Sequence, residues 1–97
     1  KVTFKISNEL NYETLREKFL ETAPMYKETN GLIRKNYICD FDKRVAGGIY
    51  CFEDRQKAEE WFDDERITWL ANRYAEPEIV YFESPVVVDN TIGKIIS

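Results

Sequence analysis

The sequence predicts a single α+β domain over residues 1–97, in which strands and helices follow the order β-α-β-β-α-β. Val2, Phe4 and Ile6 alternate with polar residues, which is the period-two pattern of a strand with one buried face. Two apolar stretches, 32–39 and 45–52, flank a short polar run, as in a β-hairpin. The segments between and after these strands repeat apolar residues every three or four positions. The order is that of ferredoxin-like folds, in which a four-stranded antiparallel sheet carries both helices on one face.

The first helix is bounded by two local signals. Asn11 is a good N-cap residue, and Tyr12, Leu15 and Phe19 follow it at helical spacing. Pro24 predicts that the helix breaks, kinks or ends near that position.

The second helical region is predicted to be divided. Asp54 can cap a helix that carries Trp61 and Phe62 on one side, but the apolar pattern resumes out of phase at Ile67. The acidic run 63–65 between them favours a new helix N-terminus. A fourth strand is predicted over residues 78–84, apolar on both faces.

The C-terminal residues 85–97 are too apolar for a loose tail and too short to form a core of their own. We interpret them as a docked arm, with three alternatives. The arm could add an edge strand to its own sheet, cross onto a second subunit, or remain disordered.

Composition excludes several classes of function. The chain has 14 Lys and Arg residues against 18 Asp and Glu residues, and it contains no histidine. Imidazole-based nucleophile systems, histidine metal sites and a proximal-histidine haem ligand are therefore excluded. The acidic balance disfavours binding to nucleic acid. No apolar stretch is long enough to cross a membrane, so we expect a cytoplasmic protein. Because the chain contains no histidine, we also expect no metal site.

The two cysteines are predicted to be reduced and to pack as small apolar side chains. Cys39 and Cys51 lie on the two strands of the predicted hairpin, and a tight turn near Asp42 would pair Cys39 with about Ala46. No C-x-x-C motif accompanies either thiol.

The face of the predicted sheet that carries no helices is expected to pack against another surface. We expect aromatic side chains such as Tyr50, Phe52, Tyr81 and Phe82 among its occupants, because the third and fourth strands carry few charges. An exposed apolar face of that size is unfavourable in a monomer, so the sequence predicts a homodimer.

Two segments carry a resemblance to a known family. Gly31-Leu32-Ile33-Arg34-Lys35, followed at a fixed distance by the segment 46–52, Ala-Gly-Gly-Ile-Tyr-Cys-Phe, resembles the YdhR-like small monooxygenases of the dimeric α/β-barrel superfamily. The resemblance extends over roughly residues 24 to 90. It implies a homodimer whose two sheets face each other, with a cavity for a small apolar or aromatic molecule. It also implies oxidation by molecular oxygen without metal or flavin, as in the antibiotic biosynthesis monooxygenase-like enzymes.

Such chemistry needs a base, donors for an anionic oxygen and a dry pocket. The candidates for catalysis are Arg34, Asn36 and Tyr37, where Arg34 or Asn36 would stabilise the anionic oxygen. The candidates for substrate binding are Tyr50, Trp61 and Tyr81. Alternation places Arg34 and Asn36 on one face of the strand and Lys35 and Tyr37 on the other. The sequence does not determine which of these two faces lines the cavity.

Related haem-degrading proteins have a tryptophan similar to Trp61 and a histidine ten residues later. That later position is Ala71 here, which argues against haem degradation. Two alternatives to a monooxygenase remain: a non-catalytic dimeric module that binds a small molecule, and a polyketide cyclase or isomerase.

Overall fold

The computed structural model describes residues 1–97 as a four-stranded antiparallel sheet, three helices and a separate C-terminal hairpin. The strands of the main sheet are β1 (Val2–Lys5), β2 (Leu32–Asp40), β3 (Val45–Phe52) and β4 (Glu78–Ile79), in the spatial order β2-β3-β1-β4. The helices are α1 (Tyr12–Lys27), α2 (Arg55–Trp61) and α3 (Asp64–Arg73). The α+β fold and its ferredoxin-like order are therefore confirmed.

The hydrophobic core lies between the sheet and the helices. Val2, Phe4 and Ile6 project from the β1 segment and are buried together with Leu15 of α1 and Leu70 of α3. Burying each such side chain contributes roughly 1.5–3 kcal/mol, so this shared face holds the helices on one side of the sheet. No helix of the molecule combines the length and the apolar character that a bilayer span requires.

Carboxylate and amide caps start all three helices. The side chains of Asn11, Asp54 and Asp63 each accept a hydrogen bond at 2.8 Å from the backbone N–H three residues further on. The predicted caps at Asn11 and Asp54 are confirmed. The break predicted at 63–65 is also present, since Asp63 caps α3.

The end of α1 differs from the prediction, because the helix continues through Pro24 to Lys27. Proline removes the hydrogen bond to the carbonyl of Leu20. Leu20 lies on the exposed side of the helix, where its carbonyl can be hydrated. The extra turn brings Tyr26 over the sheet, where it is buried.

The fourth strand is shorter than predicted. β4 ends at Ile79, although Val80 and Lys1 still exchange backbone hydrogen bonds of 2.8 and 2.9 Å. Its only partner is β1, which runs antiparallel and pairs Val2 with Ile79 and Thr3 with Glu78.

The face without helices differs from the prediction in its side chains. Gly48 pairs with Val2, so Tyr50 and Phe52 lie on the same side as the buried Val2 and pack under the helices. The other face carries half-buried Ile38 and half-exposed Ile49 near its centre. It is aliphatic and polar, and the aromatic side chains of β3 lie on the covered face.

The arm 85–97 forms its own antiparallel hairpin of β5 (Val87–Asp89) and β6 (Lys94–Ile96). The Asp89 carboxylate holds the turn by accepting hydrogen bonds from the backbone and the hydroxyl of Thr91. The hairpin does not join the main sheet, so an edge strand on that sheet is not formed within the chain. Val88 and Ile95 are exposed on it.

Candidate functional site

The edge strand β2 presents Lys35 and Tyr37 to the helices. Lys35 pairs with Tyr50 across the sheet, and Tyr37 pairs with Gly48. A Cβ atom at Gly48 would lie 2.9 Å from Cε of Lys35 and from Cε1 of Tyr50. The missing side chain at Gly48 therefore leaves the space that the lysine occupies.

The amino group of Lys35 lies among three tyrosine rings. Its Nζ atom is 3.4 Å from the ring centroid of Tyr26, 3.8 Å from that of Tyr37 and 4.5 Å from that of Tyr50. No carboxylate forms an ion pair with it. Burial lowers the pKa of Lys35 to about 6, because the rings replace only part of the hydration of an ammonium ion. At neutral pH the amine is mostly uncharged.

The tyrosine hydroxyls in this cluster are bonded to one another and to α1. Thr22 donates its hydroxyl proton to the Phe19 carbonyl at 3.0 Å, so Tyr37, 2.7 Å from the Thr22 oxygen, donates to Thr22. The hydroxyl of Tyr50 donates to that of Tyr26 at 3.3 Å. Burial raises the pKa of Tyr26, Tyr37 and Tyr50, so all three phenols stay protonated at neutral pH.

A cavity of about 280 Å³ lies between α1 and β2. Seven of its eight lining residues are hydrophobic, and Arg16 is the one charged side chain. The lining residues are Tyr12, Leu15, Arg16, Phe19, Leu20, Ala23, Tyr37 and Cys39. This size and lining suit a small, largely apolar molecule.

The rings of Phe19 and Tyr37 separate this cavity from the lysine. They stack with centroids 4.6 Å apart, and both also line a smaller space of about 10 Å³ that Lys35 borders. That volume is about the size of one water molecule. The cavity and the lysine are thus neighbours across a single aromatic pair.

Three of the six predicted site residues lie close together in the structure. Tyr37 and Tyr50 surround Lys35, and Trp61 packs edge-on against Tyr26 with centroids 5.6 Å apart. The indole of Trp61 also lies 3.9 Å from the Arg66 guanidinium and lines a separate, mostly polar depression of about 460 Å³.

The other three predicted residues lie elsewhere. Arg34 and Asn36 are exposed on the opposite face of the sheet, as the alternation along β2 requires. Tyr81 lies against the Arg55 guanidinium of α2, 5.1 Å from its ring centroid. The roles predicted for all six residues stay predictions.

Sequence reasoning did not select Lys35, Tyr26, Phe19 or Thr22 as site residues. Alternation did place Lys35 on the same face as Tyr37, and that was the available signal. Tyr26 was missed because the predicted helix ended near Pro24. No group of three or more carboxylate or thiol side chains lies close enough together to hold a metal ion.

Comparison with known proteins identifies the family. The family model described as "Putative mono-oxygenase ydhR" matches residues 1–83. The chain belongs to the ydhR family. The match to ydhR spans the whole main sheet and all three helices, and it ends before the C-terminal hairpin. No curated protein matches the chain.

Proposed function

We propose that this ydhR-family protein is a monooxygenase that oxidises a small aromatic or polyketide-like compound with molecular oxygen and no resident cofactor. The observation that carries the proposal is the apolar cavity between α1 and β2, with the half-buried Lys35 and the tyrosine cluster directly behind it. The family description supports the reaction class. The cavity supports the size and the apolar character of the substrate.

The reaction needs a substrate with an acidic C–H bond, such as the methylene group of an anthrone. Loss of the proton gives a carbanion, which transfers one electron to O₂, and the two radicals combine to form a C–O bond. Protonation gives a hydroperoxide. Removal of the second methylene proton then breaks the O–O bond, so that CH₂ and O₂ become C=O and H₂O.

Tyr37 is the side chain best placed to orient the substrate, because its ring forms a wall of the cavity. Its phenol stays protonated and can donate a hydrogen bond to a developing enolate oxygen in exchange for Thr22. Seven of the eight lining residues are hydrophobic, and such a bond is stronger in less polar surroundings.

We also propose that the protein is a homodimer. The face opposite the helices carries exposed Ile49, and the C-terminal hairpin exposes Val88 and Ile95. A second copy would cover these side chains, and a cavity between two sheets would include Arg34 and Asn36. Sedimentation analysis is expected to give twice the mass of the chain, and a stable monomer would contradict the dimer.

Oxygen uptake tests the proposed activity. With a panel of anthrones and hydroquinones, we expect consumption of one O₂ per anthrone oxidised to the quinone. A variant that fills the cavity, Ala23→Phe, should reduce the rate and the binding of anthraquinone together. Tight binding of anthraquinone with no oxygen uptake from any substrate would identify a binding module, and the proposed activity would be wrong.

A further inference from the structure

Arg16 is the one charged residue in the lining of the cavity between α1 and β2. Four of the six arginines of the chain have a hydrogen-bond partner within it: Arg44, Arg55, Arg66 and Arg73. Arg16 has none, and no carboxylate forms an ion pair with it. The acidic residues nearest to it along α1, Glu13 and Glu17, do not line the cavity. The N–H groups of Arg16 are therefore free to donate to a ligand.

The position of Arg16 on α1 places it within one wall of the cavity. Tyr12 lies four residues before it, and Phe19 and Leu20 lie three and four residues after it. Residues at these spacings are neighbours on a helix surface, with Cβ atoms about 5–6 Å apart. All three neighbours also line the cavity. An oxygen on a planar ring packed against Phe19 is therefore within reach of a long side chain at position 16.

The cavity lacks the side chains that most often remove a proton from a substrate. Its lining contains no carboxylate, and the chain has no histidine. The amine of Lys35 lies behind the stacked rings of Phe19 and Tyr37, in a space with room for about one water molecule. The titratable lining residues besides Arg16 are Tyr12, Tyr37 and Cys39. A substrate that has lost its proton before it binds needs no base in the cavity.

We propose that the cavity takes its substrate as a preformed anion, an ionised enol or phenol, and that Arg16 binds the anionic oxygen. The inference rests on the proposed function and names its substrate class. The proton passes to solvent before binding, and the anion keeps the electron pair from which one electron passes to O₂. For a weak acid such as an anthrone, only the ionised fraction binds productively.

A guanidinium in an apolar wall suits this role. Its positive charge is permanent, and its hydrogen bonds to an anionic oxygen are roughly twice as strong as bonds between neutral groups. The hydrophobic side chains around Arg16 make the surroundings less polar than water, which strengthens the bond further. A neutral ligand of the same shape would gain much less from the arginine.

Binding of 4-nitrophenol tests this role without any oxidation. Its phenolate absorbs visible light, so a spectrum reports the ionised fraction on the protein, and 4-nitroanisole has a similar shape but cannot ionise. We expect the phenolate to bind about tenfold more tightly than 4-nitroanisole, and binding to lower the pKa of the phenol by about one unit. Arg16→Met should remove both effects while 4-nitroanisole still binds. Ala23→Phe, which fills the cavity, should weaken the binding of both compounds.

Lys27→Met is the matched control for charge. It removes one positive charge from an exposed position of the same helix, outside the cavity lining, and should bind both compounds like wild type. Arg16 is also exposed, so methionine is expected to leave the fold intact, which circular dichroism of each variant checks. Loss of the preference for the phenolate in Lys27→Met as well would reveal a general effect of charge and would overturn the anion site.

The other outcomes separate this inference from the proposed function. Equal affinity for 4-nitrophenolate and 4-nitroanisole, or a preference that survives Arg16→Met, would overturn the anion site even if anthrones are oxidised. Failure of both compounds to bind the wild-type protein would also overturn it. A preference that depends on Arg16, with no oxygen uptake from any substrate, would support the anion site and contradict the monooxygenase.

Discussion

Replacing Lys35 with methionine is expected to raise the free energy of unfolding at pH 7 by about 2 to 4 kcal/mol. In the folded protein the amine is mostly neutral, with a pKa of about 6, whereas in the unfolded chain it binds a proton up to about pH 10.5. Folding at pH 7 therefore costs the removal of that proton. Methionine is similar in length, keeps the apolar contacts with the tyrosine rings, and carries no proton to lose.

The sign of the pH dependence follows from the same difference. Between about pH 6 and pH 10.5 the unfolded state binds more protons at Lys35 than the folded state, so the wild-type protein gains stability as the pH rises. The expected slope is about 1.4 kcal/mol per pH unit for this one group. Below pH 6 both states are protonated, and this contribution no longer changes.

Urea unfolding at several pH values between 6.5 and 9 measures both effects. The measurements end at pH 9 because the neighbouring tyrosines also affect the pH dependence. Burial raises the pKa of these tyrosines in the folded protein, so the free energy of unfolding falls with pH once tyrosine in the unfolded chain ionises near pH 10. The difference between Lys35→Met and wild type should shrink as the pH rises. The exposed Lys5→Met variant should follow wild type throughout. A Lys35→Met variant that is less stable than wild type at pH 7 would show that the lysine is charged and solvated.

Gly47→Ala is expected to be the most damaging single methyl addition in the chain. A Cβ at this position would lie 1.8 Å from the carbonyl oxygen of Val2 and 2.8 Å from its carbonyl carbon. Both atoms belong to the backbone of β1, which pairs with β3 at the centre of the sheet. The strands would have to separate, at a cost of about 3 kcal/mol or more.

Gly48→Ala is the matched comparison on the next residue. Its Cβ would contact Cε of Lys35 and Cε1 of Tyr50 at 2.9 Å, and the lysine side chain can move. We expect a smaller loss of about 1 to 2 kcal/mol and a displaced Lys35 that titrates closer to a normal lysine. Chemical denaturation of both variants measures the difference. Equal stability of Gly47→Ala and wild type would contradict the close approach of β1 and β3.

Local sequence patterns predicted the fold well, because they record which residues share a face. Period-two alternation in β1 and the out-of-phase restart at Ile67 correspond directly to a strand and to a helix break. The same alternation could not decide which face of β2 the helices cover. That choice depends on the pairing of Gly48 with Val2, which is a contact between residues distant in sequence.

The site was only partly predictable for a related reason. Tyr37, Tyr50 and Trp61 are aromatic and could be recognised as cavity residues from their type. A lysine on an edge strand is normally solvated, and only the empty position at Gly48 and the extra turn that carries Tyr26 bury this one. Both features depend on three-dimensional packing.

The charge state of Lys35 is the property on which the candidate site depends most directly. Heteronuclear NMR of the lysine side chains, with Lys35→Met used to assign the resonance, follows that state as a function of pH. The structure predicts that Lys35 titrates near pH 6. Titration of Lys35 near pH 10.5 would contradict an uncharged amine held among the tyrosine rings.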